Sequence, residues 1–499
     1  MLGLDPKRIE CEISFIREYT TRFSIMGISP KYKADFKNKM ISIALNNNFD
    51  LNEGHYIINL LPIDTLKDGA LYDLPLAVAI LQENNILNDK TKAFLQDAIL
   101  VGELSLSGEV HPIKNSISLA LSLNKLKGKK LIIPTANGNE CSLLNQENIY
   151  TISHINQLLN VDHIEKLKPI TLIKSQELET GDLNEIYGQV QAKRVLEIAA
   201  AGKHNILFYG APGSGKTMLS QRITSILPPL NKEEIIEATR IYSAAGMLKH
   251  NLPMTKSPLR RPHHTVSPVG LLGGGITPSV GEVSLAHHGV LFLDEFPQFK
   301  ANCIEGLREI LEEQKVHIKR SNYSVTYPAS FILIASLNPC PCGYLGDKNK
   351  CSCAAFQIKS YLSRISGPIL DRIDLQFHVK STNSEVIDTE KRESSADIAI
   401  RVNEAITRQN TRNTKGNYNG KLQGSNVEKY CAMKSDAKDY IRESFEALDL
   451  SMRSYHKIVK VARTIADIDH YDYIEIPHIQ EALSYRSFDK FVRRFDVKI

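Results

Sequence analysis

The sequence predicts an α/β protein with a parallel sheet at its centre, a mixed α/β region before it and a helical region after it. Three observations carry that prediction. The runs Ile206-Leu207-Phe208-Tyr209, Val290-Leu291-Phe292-Leu293 and Phe331-Ile332-Leu333-Ile334-Ala335-Ser336-Leu337 are almost wholly apolar, as strands buried on both faces must be. Helix-forming stretches separate them, which is the alternation of a parallel sheet. From 427 to 495 apolar residues recur at helical spacing, with Ile458, Val461, Ala462 and Ile465 on one face.

In chain order, 1–170 alternates short apolar runs with polar turns, as in a mixed α/β domain. Tyr56-Ile57-Ile58-Asn59-Leu60 and Lys130-Leu131-Ile132-Ile133-Pro134 read as strands, 74–81 and 116–123 as helices. The stretch 165–180 is charged and poor in aromatics and reads as linker, set at 171–182. Strands and helices alternate through 183–380. The last region, 381–499, holds a connecting helix, a loop and a small helical domain. The loop, 407–426, is polar, contains Gly416, Gly420 and Gly424, and reads as a mobile surface segment.

A chain of 499 residues with 42% hydrophobic and 23% charged residues has the balance of a globular protein of several domains. Its net charge of +5 is compatible with a nucleic-acid partner but does not point to one. No signal peptide is visible, and no stretch approaches 18 uninterrupted apolar residues, so no membrane span is expected and the expected compartment is the cytoplasm. There the eight cysteines are expected to be reduced, metal-bound or catalytic.

Gly210-Ala211-Pro212-Gly213-Ser214-Gly215-Lys216-Thr217 has the form G-x-x-x-x-G-K-[ST] between a strand and a helix, the setting of a phosphate-binding loop. Glycines let backbone N–H groups close around phosphates. Lys216 is placed for the β- and γ-phosphates of ATP, and Thr217 for Mg²⁺. The second strand run ends in Asp294-Glu295. Asp294 would hold Mg²⁺, and Glu295 would polarise the water that attacks the γ-phosphate. The third ends at Asn338, where an amide can orient that water.

Cys340, Cys342, Cys351 and Cys353 form two C-x-C pairs eight residues apart. Four thiolates can close a tetrahedral Zn²⁺ site. Free thiols and an iron–sulfur or redox role are the alternatives. Cys11, Cys141, Cys303 and Cys431 are isolated and read as packing residues.

The interval between Thr217 and Asp294 narrows the reading. It contains Arg260-Arg261-Pro262-His263-His264-Thr265-Val266-Ser267, Leu271-Leu272-Gly273-Gly274-Gly275 and Gly281-Glu282-Val283-Ser284-Leu285-Ala286-His287-His288. With Asn338-Pro339-Cys340-Pro341-Cys342-Gly343, Ser366-Gly367-Pro368-Ile369-Leu370-Asp371-Arg372-Ile373-Asp374 and Ala462-Arg463-Thr464-Ile465-Ala466-Asp467, this text resembles the competence protein ComM (YifB) family of magnesium-chelatase-like AAA+ ATPases. Val280 departs from it, standing where the family has Pro.

The resemblance implies an amino-terminal domain like that of Lon protease, an AAA+ P-loop module with a parallel sheet, and a C-terminal helical lid. It implies an ATP-driven homohexameric motor that promotes branch migration of DNA during recombination in natural transformation, with single-stranded and branched DNA as partners. A Lon-type peptidase needs a Ser activated by a Lys. The matching stretch Lys67-Asp68-Gly69-Ala70-Leu71-Tyr72-Asp73-Leu74-Pro75-Leu76 has no Ser, Ile117 stands where the Lys would be, and Lys114 comes one turn early, so the domain reads as a non-peptidase scaffold.

By the same resemblance Arg372 is a finger into the neighbouring subunit's γ-phosphate, the alternative being a salt bridge to Asp371 or Asp374. Arg453 is implied as the lid's phosphate sensor. Arg260 and Arg261, with His263 and His264, suit a pore loop facing DNA phosphates; interface structure and a metal site are the other readings. The segment 315–327 reads as a hairpin with Ser321-Asn322 near its turn and Lys319, Arg320 and Tyr323 near its tip, where related motors touch nucleic acid; an ordinary surface hairpin is the alternative. Two other functions compete: a chelatase motor subunit driving metal insertion into a tetrapyrrole, and a scaffold using ATP as a switch.

Overall fold

The computed structural model describes residues 3–62, 69–126, 128–169, 181–320, 323–345, 350–381, 393–414, 416–448 and 450–493. It is a mixed α/β protein with parallel sheets and a helical C-terminal region. Two compact units form. One comprises Met1–Gln176, Lys232–Thr255 and Lys319–Val325; the other comprises Glu177–Asn231, Lys256–Ile318 and Thr326–Ile499.

In the first unit, β1 (Glu10–Arg17) and β2 (Arg22–Met26) flank β3 (Gly54–Leu61). Along β3 buried and half-buried residues alternate, so one face carries Tyr56, Ile58 and Leu60 into the core. A second sheet runs β4 (Ala98–Leu100), β7 (Lys130–Pro134), β8 (Ile149–Ile152) and β9 (Glu165–Lys166). Between them in sequence β5 (Glu103–Leu104) pairs with β6 (Val110–His111). The predicted strand at 130–134 is β7, and the predicted helices are Asp73–Glu83 and Ser116–Ser122.

One part of the expected linker is corrected: Glu165 and Lys166 pair antiparallel with Thr151 and Tyr150 as β9. Two charged residues suit an edge strand, where only the backbone is held and both side chains stay in water. Residues 170–180 lie outside the described ones, as do Lys67 and Asp68. The helix Lys232–Ala245 belongs to this unit; the Asn115 N–H donates to the Ser243 carbonyl at 3.2 Å and to its hydroxyl at 2.9 Å. Asp73 is fully buried and accepts from Tyr32, from Lys39 Nζ at 2.6 Å and from the Leu104 N–H at 3.1 Å. Ile117 is fully buried and Lys114 is exposed.

The second unit is built on β10 (Ile206–Tyr209), β11 (Leu259–Arg260), β12 (Val290–Leu293), β15 (Ile332–Leu337) and β16 (Leu375–His378). All pairs are parallel, in the order β11-β12-β15-β10-β16. Every residue of β10, β12 and β15 is buried, which is why these runs carry no alternation. The intervening β13 (Lys315–Arg320) and β14 (Tyr323–Pro328) pair with each other; Ser321 and Asn322 lie outside the described residues.

The helix Met452–Ile468 buries Ile458, Val461, Ala462 and Ile465, the expected face. The mobile loop expected at 407–426 is not what forms. Helix Ser395–Arg412 runs into it, Asn419–Lys421 is a 3₁₀ turn, and helix Ser425–Tyr430 closes it. The reason is a buried polar anchor. Asn419 is fully buried, donating to Asp467 at 2.8 Å and to Thr464 at 3.2 Å. A buried amide with its partners made is costly to release, so this polar stretch packs inward.

Candidate functional site

Strand register places the site. Ile206 to Tyr209 lie opposite Ile334 to Leu337, and Val290 to Leu293 opposite Ile332 to Ala335. The same offsets set Gly210 beside Asn338 and Asp294 beside Ser336, at the carboxyl ends of three adjacent parallel strands. Open α/β sheets bind ligands at that edge.

The loop after β10 turns on Gly213 and Gly215, at φ 75° and 91°, a region side chains resist. Gly215 is the N-cap of helix Lys216–Arg222. The Lys216 ammonium donates to the carbonyls of Gly210 at 2.7 Å and Ala211 at 2.8 Å, and to Asn338 Oδ1 at 3.2 Å. Burial lowers its pKa, partly offset by the charge of Asp294. Pro212 and Gly213 are exposed and Ser214 is buried.

The Thr217 hydroxyl donates to Asp294 Oδ2 at 3.0 Å. Ser336 donates to Asp294 Oδ1, and the Glu295 N–H to the same oxygen at 3.1 Å. A hydroxyl and a carboxylate in direct contact form an oxygen pair suited to a hard divalent cation such as Mg²⁺. Glu295 sits in the left-handed region at φ 52°, its side chain about half exposed and its Oε2 3.4 Å from His264 Nδ1.

The four cysteines converge. Sγ separations are 3.3 Å for Cys340–Cys342, 3.9 Å for Cys340–Cys351 and 3.6 Å for Cys342–Cys351, with Cys353 in the same cluster. Thiolates 2.3 Å from a tetrahedral metal stand about 3.8 Å apart, so this donor set fits one Zn²⁺.

Arg372 is mostly buried and pairs with Glu312, not with the Asp371 or Asp374 weighed from sequence; it also donates to the Pro368 carbonyl at 2.6 Å. Its hydrogen bond to Glu312, with the charges of Arg372, Arg453 and Arg308, holds that carboxyl below its usual range. Arg453 is exposed, 3.8 Å from Asp371. Arg260 makes a two-pronged bond to Glu282, at 2.6 and 2.8 Å. Arg261 donates to Asp294 Oδ2 at 3.1 Å and lies over the Phe292 ring at 5.4 Å. The structure therefore brings Arg261 to the acid of the loop site, a placement no spacing rule signals. Lys319 and Arg320 are exposed on β13.

Two further residues, Asn205 and His204, carry no signal in the sequence. Asn205, at the foot of β10, donates to the Arg372 carbonyl at 2.8 Å and accepts from the Leu333 N–H at 2.9 Å. His204 and Asp374 are buried together. A lone His or Asn before a strand carries no signature; only the fold gives it a partner.

Residues 182–387 match the family model described as magnesium chelatase, subunit ChlI; 392–486 match its C-terminal model, and 11–137 the model described as subunit ChlI of Mg-chelatase. YifB of Salmonella typhimurium is 37% identical over 497 residues, covering 98% of this chain and 96% of its own. Competence protein ComM of Haemophilus influenzae is 36% identical over 484 residues, covering 95% and 93%. DNA replication licensing factor mcm6 of Dictyostelium discoideum is 24% identical over 204 residues, 41% of this chain and 20% of its own. Among the described residues, no helix is long and apolar enough to cross a membrane.

Proposed function

The chain belongs to the family of YifB and competence protein ComM, built from magnesium chelatase ChlI-type domains, and on that premise we propose that it is an AAA+ ATPase working as a hexameric DNA motor that promotes branch migration in natural transformation. The observation that carries the reading is the union of Lys216 with Asn338 and of Thr217 with Asp294 at the ends of three neighbouring parallel strands. The similarity to a replication licensing factor points to nucleic acid as the partner.

In this reading ATP binds on the loop Gly210, Ala211, Pro212, Gly213, Ser214, Gly215. Lys216 trades its loop carbonyls for phosphate oxygens, a stronger, charge-assisted bond. Mg²⁺, held by Thr217 and Asp294, would neutralise phosphate charge. Glu295 takes the proton of the attacking water, Asn338 orients that water, and Arg372 and Arg453 answer to nucleotide charge, Arg372 across a subunit interface. Release of Arg372 from Glu312 is the step this chain must make before the arginine can reach a neighbour. The four cysteines hold Zn²⁺. The region 183–380 is the ATPase module, 381–499 the connecting segment and lid, 171–182 the linker, and 1–170 a Lon-like domain without peptidase activity, since Ile117 is apolar and buried. The protein acts in the cytoplasm. For DNA contact, Lys319 and Arg320 are exposed and, among the described residues, make no ion pair, whereas Arg260 and Arg261 are paired with Glu282 and Asp294.

ATP hydrolysis with and without branched DNA tests the proposal. Stimulation by single-stranded or branched DNA, lost in the Lys319→Ala/Arg320→Ala variant that still assembles, is expected. Hydrolysis indifferent to DNA would overturn the motor reading. Stimulation only by porphyrin and partner subunits would favour a chelatase motor, the reading that the name of the matched models supports.

A further inference from the structure

Two routes connect the four cysteines to the phosphate loop. The first runs through the chain. Asn338 and Cys340 are two residues apart at the end of β15, and Asn338 Oδ1 lies 3.2 Å from Lys216 Nζ. The second runs through space. The turn after Cys340 closes by a 3.0 Å bond from the Gly343 N–H to the Cys340 carbonyl, and Gly343 adopts φ 87°. A Cβ on Gly343 would stand 2.6 Å from both Cδ and Cγ of Pro212 and 3.7 Å from Asn338 Cγ. Only a glycine lets this turn lie so close against the phosphate loop. On the far side of the cluster, Cys353 leads into helix Ala355–Leu362, whose Tyr361 bonds to the Asn338 backbone.

We propose that the four-cysteine metal site and the phosphate loop are thermodynamically coupled: metal bound by Cys340, Cys342, Cys351 and Cys353 fixes the 340–343 turn against Pro212 and Asn338 against Lys216, and so raises affinity for nucleotide. The inference rests on the zinc and ATP assignments above. Without metal, only weak thiol contacts and the Gly343–Cys340 backbone bond hold the turn, and more of the ordering of Pro212 and Asn338 must come out of nucleotide binding. Coupling of this kind is reciprocal, so nucleotide must equally tighten the hold on metal.

The test uses the full chain, reduced throughout. Zinc content is measured first. A fluorescent ATP analogue is then titrated in excess Mg²⁺ before zinc removal by a zinc-selective chelator, after removal, and after return of Zn²⁺ alone. Affinity is expected to fall about tenfold on removal, within the usual range of site-to-site coupling, and to recover on return. Zinc transfer to a chromogenic chelator is expected to slow with saturating ATP, and ATP should lose that effect in Lys216→Ala. Pro212→Ala, which removes the contact and leaves the cysteines, should keep its zinc while its nucleotide affinity becomes less sensitive to the metal. Zinc present with an affinity unmoved by its removal, in protein whose circular dichroism is unchanged, overturns the coupling and leaves the metal assignment standing. Protein that carries no zinc and takes up none overturns the metal assignment and the coupling with it. Zinc-loaded protein that binds no nucleotide overturns the ATP assignment.

Discussion

Arg261 and Thr217 both donate to one oxygen of Asp294, at 3.1 and 3.0 Å. The oxygen suited to a divalent cation is thus already occupied by a positive side chain. Arg261 is about half exposed, so the ion pair is weak, about 0.3–1 kcal/mol. Arg261→Met should therefore lower the Mg²⁺ concentration needed for half-maximal ATP hydrolysis by about two- to fivefold, by the same energy. If Arg261 instead serves DNA, the variant will lose DNA affinity with its Mg²⁺ dependence unchanged. Measuring both separates the roles.

Lys216→Ala removes the only ammonium bonded to the loop carbonyls among the described residues, and nucleotide affinity should drop about 10- to 100-fold. Glu295→Gln should bind nucleotide as before and hydrolyse it about 10²- to 10⁴-fold more slowly. Parental turnover in Glu295→Gln would move the water-activating role elsewhere.

Arg372→Ala should cost about 10³-fold or more in turnover if the arginine acts across an interface. Mixed with Lys216→Ala chains, it should regain part of that activity, because some interfaces then join an intact arginine to an intact loop. Co-purified mixed rings that stay inactive would argue for a role within one chain. Glu312→Gln is the companion variant. It unties Arg372 from its resting partner, and hydrolysis should be maintained or rise.

His204 Nδ1 lies 3.2 Å from Asp374 Oδ2, and Nε2 lies 2.7 Å from Thr464 Oγ1. Burial, with the charges of Lys460 and Lys421, lowers the pKa of His204 in spite of Asp374. Asp374 is held below the carboxylate range: its burial is outweighed by the charge of Lys460, the hydrogen bond with His204 and the charge of Lys457. For both groups the unfolded chain binds protons more readily than the folded one, so acid favours unfolding. The contribution of His204 is fully present above its unfolded pKa of about 6.5 and declines as the pH falls towards its folded value. Thermal stability should therefore drop between pH 7 and pH 5, and His204→Gln should flatten that slope. An unchanged slope would assign the acid sensitivity to other groups.

Arg463 and Asp467 are both fully buried, one turn apart, 3.0 Å between Nη2 and Oδ1; Arg412 closes on the same carboxylate at 2.6 and 2.8 Å. Asp467→Leu leaves the buried Arg463 guanidinium, and the partly exposed one of Arg412, without their charge partner and should cost about 3–5 kcal/mol. A thermal melt with no resolvable shift would show that water reaches these arginines. The change should also release Asn419, so protease cutting near 412–425 is the second readout.

What the sequence determined by itself is whatever depends on local order. Three of the five parallel strands, β10, β12 and β15, were legible because strands buried on both faces admit few polar residues, and the phosphate loop because its spacing and glycines are set by the shape of a phosphate chain. The Cys340–Cys353 spacing likewise put four sulfurs within reach of each other. What only the tertiary structure decided is pairing at a distance. Arg261 reads as one more basic residue until parallel β11 and β12 bring it to Asp294. Arg372 finds Glu312, sixty residues away, over the aspartates beside it. The stretch 407–426 reads as a loop because its composition is polar, but Asn419 is matched by Thr464 and Asp467 from another helix. Composition reports what a side chain would prefer in water. The position of the partner that replaces water belongs to the fold, and for these residues that partner sets the role.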